Sequence, residues 1–190
     1  MRRLKFVSLI VGIVILSAAG QAAMKGDSAF VEGPNGSIMH RESGFVFPAH
    51  IGNFHRRSED KFDAMGHDVS VSYFCSPTPI VATLYVYPTG GLSLDQEFQR
   101  RQSEVEQAHP GAKLMSRGAT TVSPKRVRAL TAEYQFSGNF GGSDQALHSV
   151  LIVAQRGPRF IEYRMTFPSS ERTAAAAQAA KLSQQFAWPK

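Results

Sequence analysis

The stretch that most constrains this fold is Ile80-Val81-Ala82-Thr83-Leu84-Tyr85-Val86-Tyr87, which is apolar or aromatic at almost every position. A run of this length and β-branched content reads as a strand. With so little polar surface to give to water, it must be a central strand, covered on one face and at least partly shielded on the other. Just upstream, Val69, Val71, Tyr73 and Cys75 alternate with Ser70, Ser72 and Phe74, a second strand, and Pro77 and Pro79 supply the turn between the two.

Helical logic takes over at Ser93, whose side chain can cap a first turn while Gln96 reaches back to complete a capping box. Leu94, Phe98, Val105 and Ala108 fall on one face, Glu97 to Arg101 and Arg100 to Glu104 form i,i+4 pairs on what reads as a solvent face, and Pro110-Gly111 stops the helix. The period then returns to two. Strands are predicted over 119–123, 127–136, 148–155 and 160–167, with Ser137 to Asp144 a flexible connection and Arg156 to Arg159 a short link. A last helix follows Pro168, with Ala175, Ala179, Leu182 and Phe186 as its apolar stripe and Trp188 closing the core. Ahead of all this, residues 24–44 read as an irregular lead-in, Phe45 to Phe47 as an edge strand ended by Pro48, and Gly52 to Ser58 as another strand. The whole is an α+β chain, with one domain over 45–190.

The amino terminus states where such a chain works. Arg2, Arg3 and Lys5 precede an apolar run from Phe6 to Leu16 that ends in Ser17, Ala18, Ala19 and Gly20, the layout of a cleavable export signal over residues 1–23. The run is shorter than the roughly 20 residues a bilayer span needs. An exported product, periplasmic or extracellular and without a stable membrane span, is the expectation, with retention of the segment as an anchor the alternative. Removing 23 of the 190 residues takes three basic and no acidic side chains, so the formal charge falls from +6 to about +3. That is ordinary for a soluble domain and, although Arg117, Lys125, Arg126 and Arg128 crowd together, gives no reason to expect nucleic acid. The single cysteine, Cys75, excludes an internal disulfide and reads as a buried apolar residue.

No motif names a reaction. His40, His50, His55 and His67 lie early in the mature chain, with Asp68 beside His67, and a metal-dependent hydrolase using His50, His55, His67 and Asp68 is the catalytic alternative. Their spacings match no established ligand pattern, so loop histidines are the simpler reading. Ser143, Asp144 and His148 would place a triad across a loop and a strand start, and turn residues explain them better. Glu133 and Glu162 fall within strands, where pairing with neighbouring bases such as Arg159 and Arg164 accounts for them. Nothing asks for a cofactor. Gly90-Gly91 and Phe140-Gly141-Gly142 offer accessible backbone and one aromatic to a partner, an envelope protein or a small ligand.

The strand through Val81 to Tyr87, the helix from Leu94 to Ala108, the strand meander, the phrase Phe160-Ile161-Glu162-Tyr163-Arg164 leading to Phe167-Pro168, and the ending Phe186-Ala187-Trp188 resemble the PsbP/Mog-like family of α/β sandwiches. The resemblance spans roughly Ser43 to Trp188. It implies a mainly antiparallel central sheet flanked by helices, an α/β/α sandwich, and relatives that are mainly non-catalytic accessory or binding proteins. No ligand or catalytic residue of that family maps onto this chain.

Overall fold

The computed structural model describes residues 28–189, so the expected export signal over 1–23 lies outside the described residues. The long apolar run becomes β7 (Ile80–Pro88), and it is central: it pairs on one side with β6 (Val69–Cys75) and on the other with β11 (Arg159–Pro168). The chain before β7 builds one half of the sheet as a meander of β4 (His50–Ile51), β5 (Phe54–Lys61), β6 and β7. After β7, α1 (Leu94–Ala108) carries the chain to the far edge. There β8 (Lys113–Val122), β9 (Val127–Phe140), β10 (Ser143–Arg156) and β11 return strand by strand to β7. The result is one eight-stranded sheet, antiparallel at every pairing, in the order β4-β5-β6-β7-β11-β10-β9-β8.

The two helices take opposite faces. Ser93 caps α1 with the expected reciprocal Ser93–Gln96 box, and α1 packs on β9 and β10 through Phe98 and Val105. On the other face, α2 (Arg172–Gln185) lays its stripe of Ala175, Ala179 and Leu182 on the sheet, followed by Phe186. Alanines let the helix axis come close, and the aromatics at its end fill the remaining space: Phe186 stacks on Phe45, and the Trp188 indole N–H donates to the Tyr163 hydroxyl at 3.0 Å. Burying a side chain such as Phe186 contributes about 1.5–3 kcal/mol. Cys75 lies in the same core, free and fully buried.

Several expectations need correction. The stretch expected to be an irregular lead-in contains β1 (Phe30–Glu32) and β2 (Ile38–His40), which join β3 (Val46–Phe47) in a small antiparallel sheet. Strands of three residues show too little alternation to be read from sequence. The strand placed at Gly52 to Ser58 is β5, from Phe54 through Glu59 and Asp60 to Lys61, because beyond His55 nothing pairs with its outer side and those residues need no apolar pattern. β8 likewise begins six residues before its expected start and is exposed along most of its length. The supposed flexible connection at 137–144 is strand: β9 and β10 run past the rest of the sheet as a two-stranded ribbon closed by Gly141 and Gly142 alone. Both glycines have positive φ, +64° and +89°, as a two-residue hairpin turn requires. Ala108, placed on the apolar face of α1, is exposed.

Candidate functional site

The register fixes which loops share an end of the sheet. Lys61, Val69, Val86, Ile161, Ala154, Ala129 and Thr120 lie in one row across it. The turns at 62–68, 89–93, 123–126 and 157–158 therefore gather at one end, where α1 begins, and the β9–β10 tip stands at the opposite, hairpin end. The two loops singled out in the sequence are thus separated: Gly90-Gly91 lies at the α1-entry end and Phe140-Gly141-Gly142 at the hairpin end. Phe140 is half-buried, packed against the cluster under α1.

The histidines separate in the same way. His50 and His55 face each other across the β4–β5 pair, ring centroids 4.7 Å apart, at the hairpin end. His67 and Asp68 sit at the α1-entry end, about 20 Å away at ~3.3 Å per strand residue. His67 pairs with Glu42, which also meets Arg159. Among the described residues no three His, Cys, Asp or Glu side chains form a group able to hold a metal ion. The supposed triad is likewise open: Ser143 is at the exposed tip, while His148 is buried and stacked on Phe167.

What the fold does assemble is a charged cluster between the first half of α1 and the ends of β7 and β11. Glu97 and Glu162 are 0% and 1% exposed. Arg101 joins them: its Nε lies 2.7 Å from Glu97 Oε1 and 3.1 Å from Glu162 Oε2, and its Nη1 donates to Glu104 at 2.8 Å. Its guanidinium also lies 4.4 Å from the centre of the Tyr87 ring, and the Tyr87 hydroxyl donates to Glu162 at 3.1 Å. Arg164 binds Glu162 and reaches Glu104 at 3.1 Å, and Arg100 grips Glu97 through two bonds of 2.8 and 2.7 Å. Burial opposes charge on Glu97, but Arg100 and Arg101 outweigh it and hold its carboxyl below the usual range. Burial likewise works against the Arg101 charge, and Glu162 and its neighbours raise that guanidinium above its ordinary value.

Asp68, next to this cluster, behaves differently. Burial pushes its carboxyl up to about 6, with Arg101 pulling it down and Asp63 and Glu162 adding to the rise. It can donate a hydrogen bond in mildly acid solution and only accept one at neutral pH. The remaining acids are saturated by arginine, so the cluster locks α1 to β7 and β11 rather than presenting a reactive group. Glu162 pairs with Arg164 on its own strand and with Arg101 from the helix, whereas Arg159 turns to Glu42 and Glu133 is met by Arg172 of α2. The polar face of α1 expected to meet solvent is therefore partly buried. Sequence did carry a signal for this: Arg101 falls at i+7 from Leu94, in line with Phe98 and Val105.

Because α1 covers β9 and β10 and reaches β7 at Tyr87, the same face of β5, β6 and the rest of β7 carries no helix among the described elements. On β6 and β7 the contrast between faces is sharp. Val69, Val71, Tyr73, Ala82 and Leu84 are buried on the α2 side, and Ser72, Phe74, Val81, Thr83 and Tyr85 are open or half-open on the other. The open half is ordered by Ser72–Thr83 hydroxyl contact at 3.3 Å, by Phe62 stacked on Tyr85, and by Arg57 over the Phe74 ring. On the opposite face a shallow groove of about 300 Å³ runs between α2 and β8–β11, floored by Val150, Ile152 and Met165 and rimmed by Glu133 and Arg172.

No family model matches the chain, and no curated protein matches it in sequence. Solved structures do. The solution structure of a cyanobacterial PsbP, CyanoP from Synechocystis, is 13% identical, covering 88% of this chain and 95% of its own, with a TM-score of 0.47. The chain is distantly similar to PsbP. A crystal structure of a Pseudomonas aeruginosa protein of unknown function is 18% identical, covering 74% of this chain and 90% of its own, with a TM-score of 0.39. At this distance no residue role and no activity passes from either protein to this one. Among the described residues no helix is long and apolar enough to cross a membrane.

Proposed function

We propose that this chain is an exported, non-catalytic accessory protein that recognises another protein of the cell envelope through the open half of its sheet. The supporting observation is the uncovered face of β5–β7, where Phe62, Phe74 and Tyr85 alternate with Ser72 and Thr83 on a rigid antiparallel frame. Rigid aromatic side chains supply contact area at low entropic cost, the Tyr85 hydroxyl adds a polar tip, and neighbouring hydroxyls adapt their hydrogen bonds to a partner. Asp68 borders this face and adds a carboxyl whose hydrogen-bonding role changes near pH 6. A partner lying along the strands meets Gly90-Gly91 at the α1-entry end, while the Phe140-Gly141-Gly142 tip belongs to the β9–β10 half that α1 covers. Export rests on the amino-terminal sequence and places the protein in the periplasm or outside the cell. The test is purification from the native envelope under gentle crosslinking, followed by mass spectrometry. A stoichiometric protein partner that is lost in a Phe74→Ala/Tyr85→Ala variant supports the reading. A partner-free protein carrying a bound small molecule or metal contradicts it.

A further inference from the structure

The β4–β5 hairpin brings two imidazoles together. Ile51 and Phe54, 5% and 1% exposed, pin it to the core on one face of the strands, and because neighbouring side chains alternate, His50 and His55 stand on the other face, both exposed. Gly52 and Asn53 make the two-residue turn, with Gly52 at a positive φ of +56°. The register pairs His50 with His55, and just beyond them the Arg56 N–H donates to the Ala49 carbonyl at 2.9 Å. His50 and His55 are therefore a non-hydrogen-bonded pair, the kind whose side chains approach most closely in an antiparallel ladder. Of the flanking arginines, Arg56 donates to the Phe47 carbonyl at 2.9 Å and Arg57 lies over the Phe74 ring, so neither caps an imidazole nitrogen.

The spacing of the two rings is that of two ligands on one ion. With metal–nitrogen bonds of about 2.1 Å and bond angles between roughly 90° and 110°, two imidazoles on a shared ion have their centres about 4.5–5.2 Å apart. Those of His50 and His55 are 4.7 Å apart, with the ring planes at 87°. Neither ring hydrogen-bonds to another described residue, so each is free to turn a nitrogen toward the ion. The backbone that carries them is already fixed by the hairpin, which keeps the ordering cost of binding low. The other four histidines are engaged: His40 between Ser43 and the Gly66 carbonyl, His67 with Glu42, His109 stacked on Phe136 and His148 on Phe167.

We propose that His50 and His55 form a two-histidine chelate for a divalent transition-metal ion, copper(II) the tightest, with the remaining coordination positions left to water or to a donor from another molecule. Imidazole nitrogen suits copper and zinc, and copper(II) stands highest in affinity among the first-row divalent ions. The site is smaller than the four-residue one expected from sequence, because His67 and Asp68 lie at the other end of the sheet. It is formed by this chain alone and does not depend on the envelope partner proposed above.

The chain purified after export is freed of metal with a chelator and titrated with copper(II) in glycine buffer, which competes for weakly held ion. Binding is followed by calorimetry and by electron paramagnetic resonance. The expected result is one copper(II) per chain with nitrogen ligation in the resonance spectrum, and weaker binding of zinc(II). In a chelate the bond to the second ring is intramolecular, so His50→Gln and His55→Gln each weaken binding by roughly tenfold or more, and the double variant loses little beyond either. Both positions are exposed, so neither substitution disturbs the core. His67→Gln, at the other end of the sheet, leaves binding unchanged. Absence of a stoichiometric site, binding that survives His50→Gln or His55→Gln, or binding lost in His67→Gln overturns the proposal. Two weaker sites, one removed by each single substitution, also overturn it, in favour of independent surface imidazoles.

Discussion

Glu162 sits under α1 with its carboxylate shared between Arg101, Arg164 and the Tyr87 hydroxyl. Truncating it leaves two guanidinium groups without their anion in a desolvated site. Breaking a buried pair in this way costs about 3–5 kcal/mol, so Glu162→Ala is expected to lower the midpoint of urea unfolding sharply, and an unchanged midpoint would deny the cluster its role as a clamp. Asp68 gives the opposite sign. Burial pushes its folded carboxyl up to about 6 from the ordinary 3.8, so between those values the folded chain holds a proton that the unfolded chain has released. Stability therefore falls as pH rises through that window and the penalty is fully present above pH 6. Because the group is partly exposed, its weight is discounted to about 1 kcal/mol, or about 2–4 °C in Tm for a domain of this size. Asp68→Asn is expected to melt higher than the parent at pH 7.5 and level with it at pH 3.5, measured by thermal circular dichroism. Sequence placed both acids in their local frames but missed their fates, because burial of a strand residue depends on which helix crosses above it.

Among the elements, those with a period were legible and those without were not. The β6 and β7 strands, the capped α1 and the alanine stripe of α2 stand where alternation, the Ser93–Gln96 box and the i,i+4 spacing put them. β8 and the outer half of β5 were foreshortened, because β8 is an edge strand and β4 covers β5 only at Phe54 and His55, so both meet water and carry charge. The β9–β10 ribbon was hidden by its own composition: Ser137, Gly138 and Asn139 read as loop, yet each is paired across the ladder with β10. The ribbon's turn offers a direct check. Gly141 holds φ +64°, and a β-branched side chain there costs about 1–2 kcal/mol. Gly141→Val should lower thermal stability accordingly and speed amide exchange at the tip before the rest of the sheet. Uniform exchange along β9 and β10 would mean the ribbon is no extension of the sheet.

For the molecule as a whole, the sheet separates three tasks. The α2 face and the small β1–β3 sheet enclose the main core, the charged cluster and α1 close half of the other face, and the remaining half stays open. His50, His55 and His67 lie close together in sequence, but chain distance ignores the length of a strand, and the antiparallel order sends His67 to the end opposite His50 and His55 and parts the two glycine loops in the same way. The central claim is that the open half of the sheet is where a partner binds. A photo-reactive amino acid placed at Thr83, on that face, and in a parallel experiment at Lys181, on the exposed side of α2, tests it in the native envelope. The account predicts one protein crosslinked from Thr83 and none from Lys181; equal crosslinking from both positions, or none from Thr83, would contradict it.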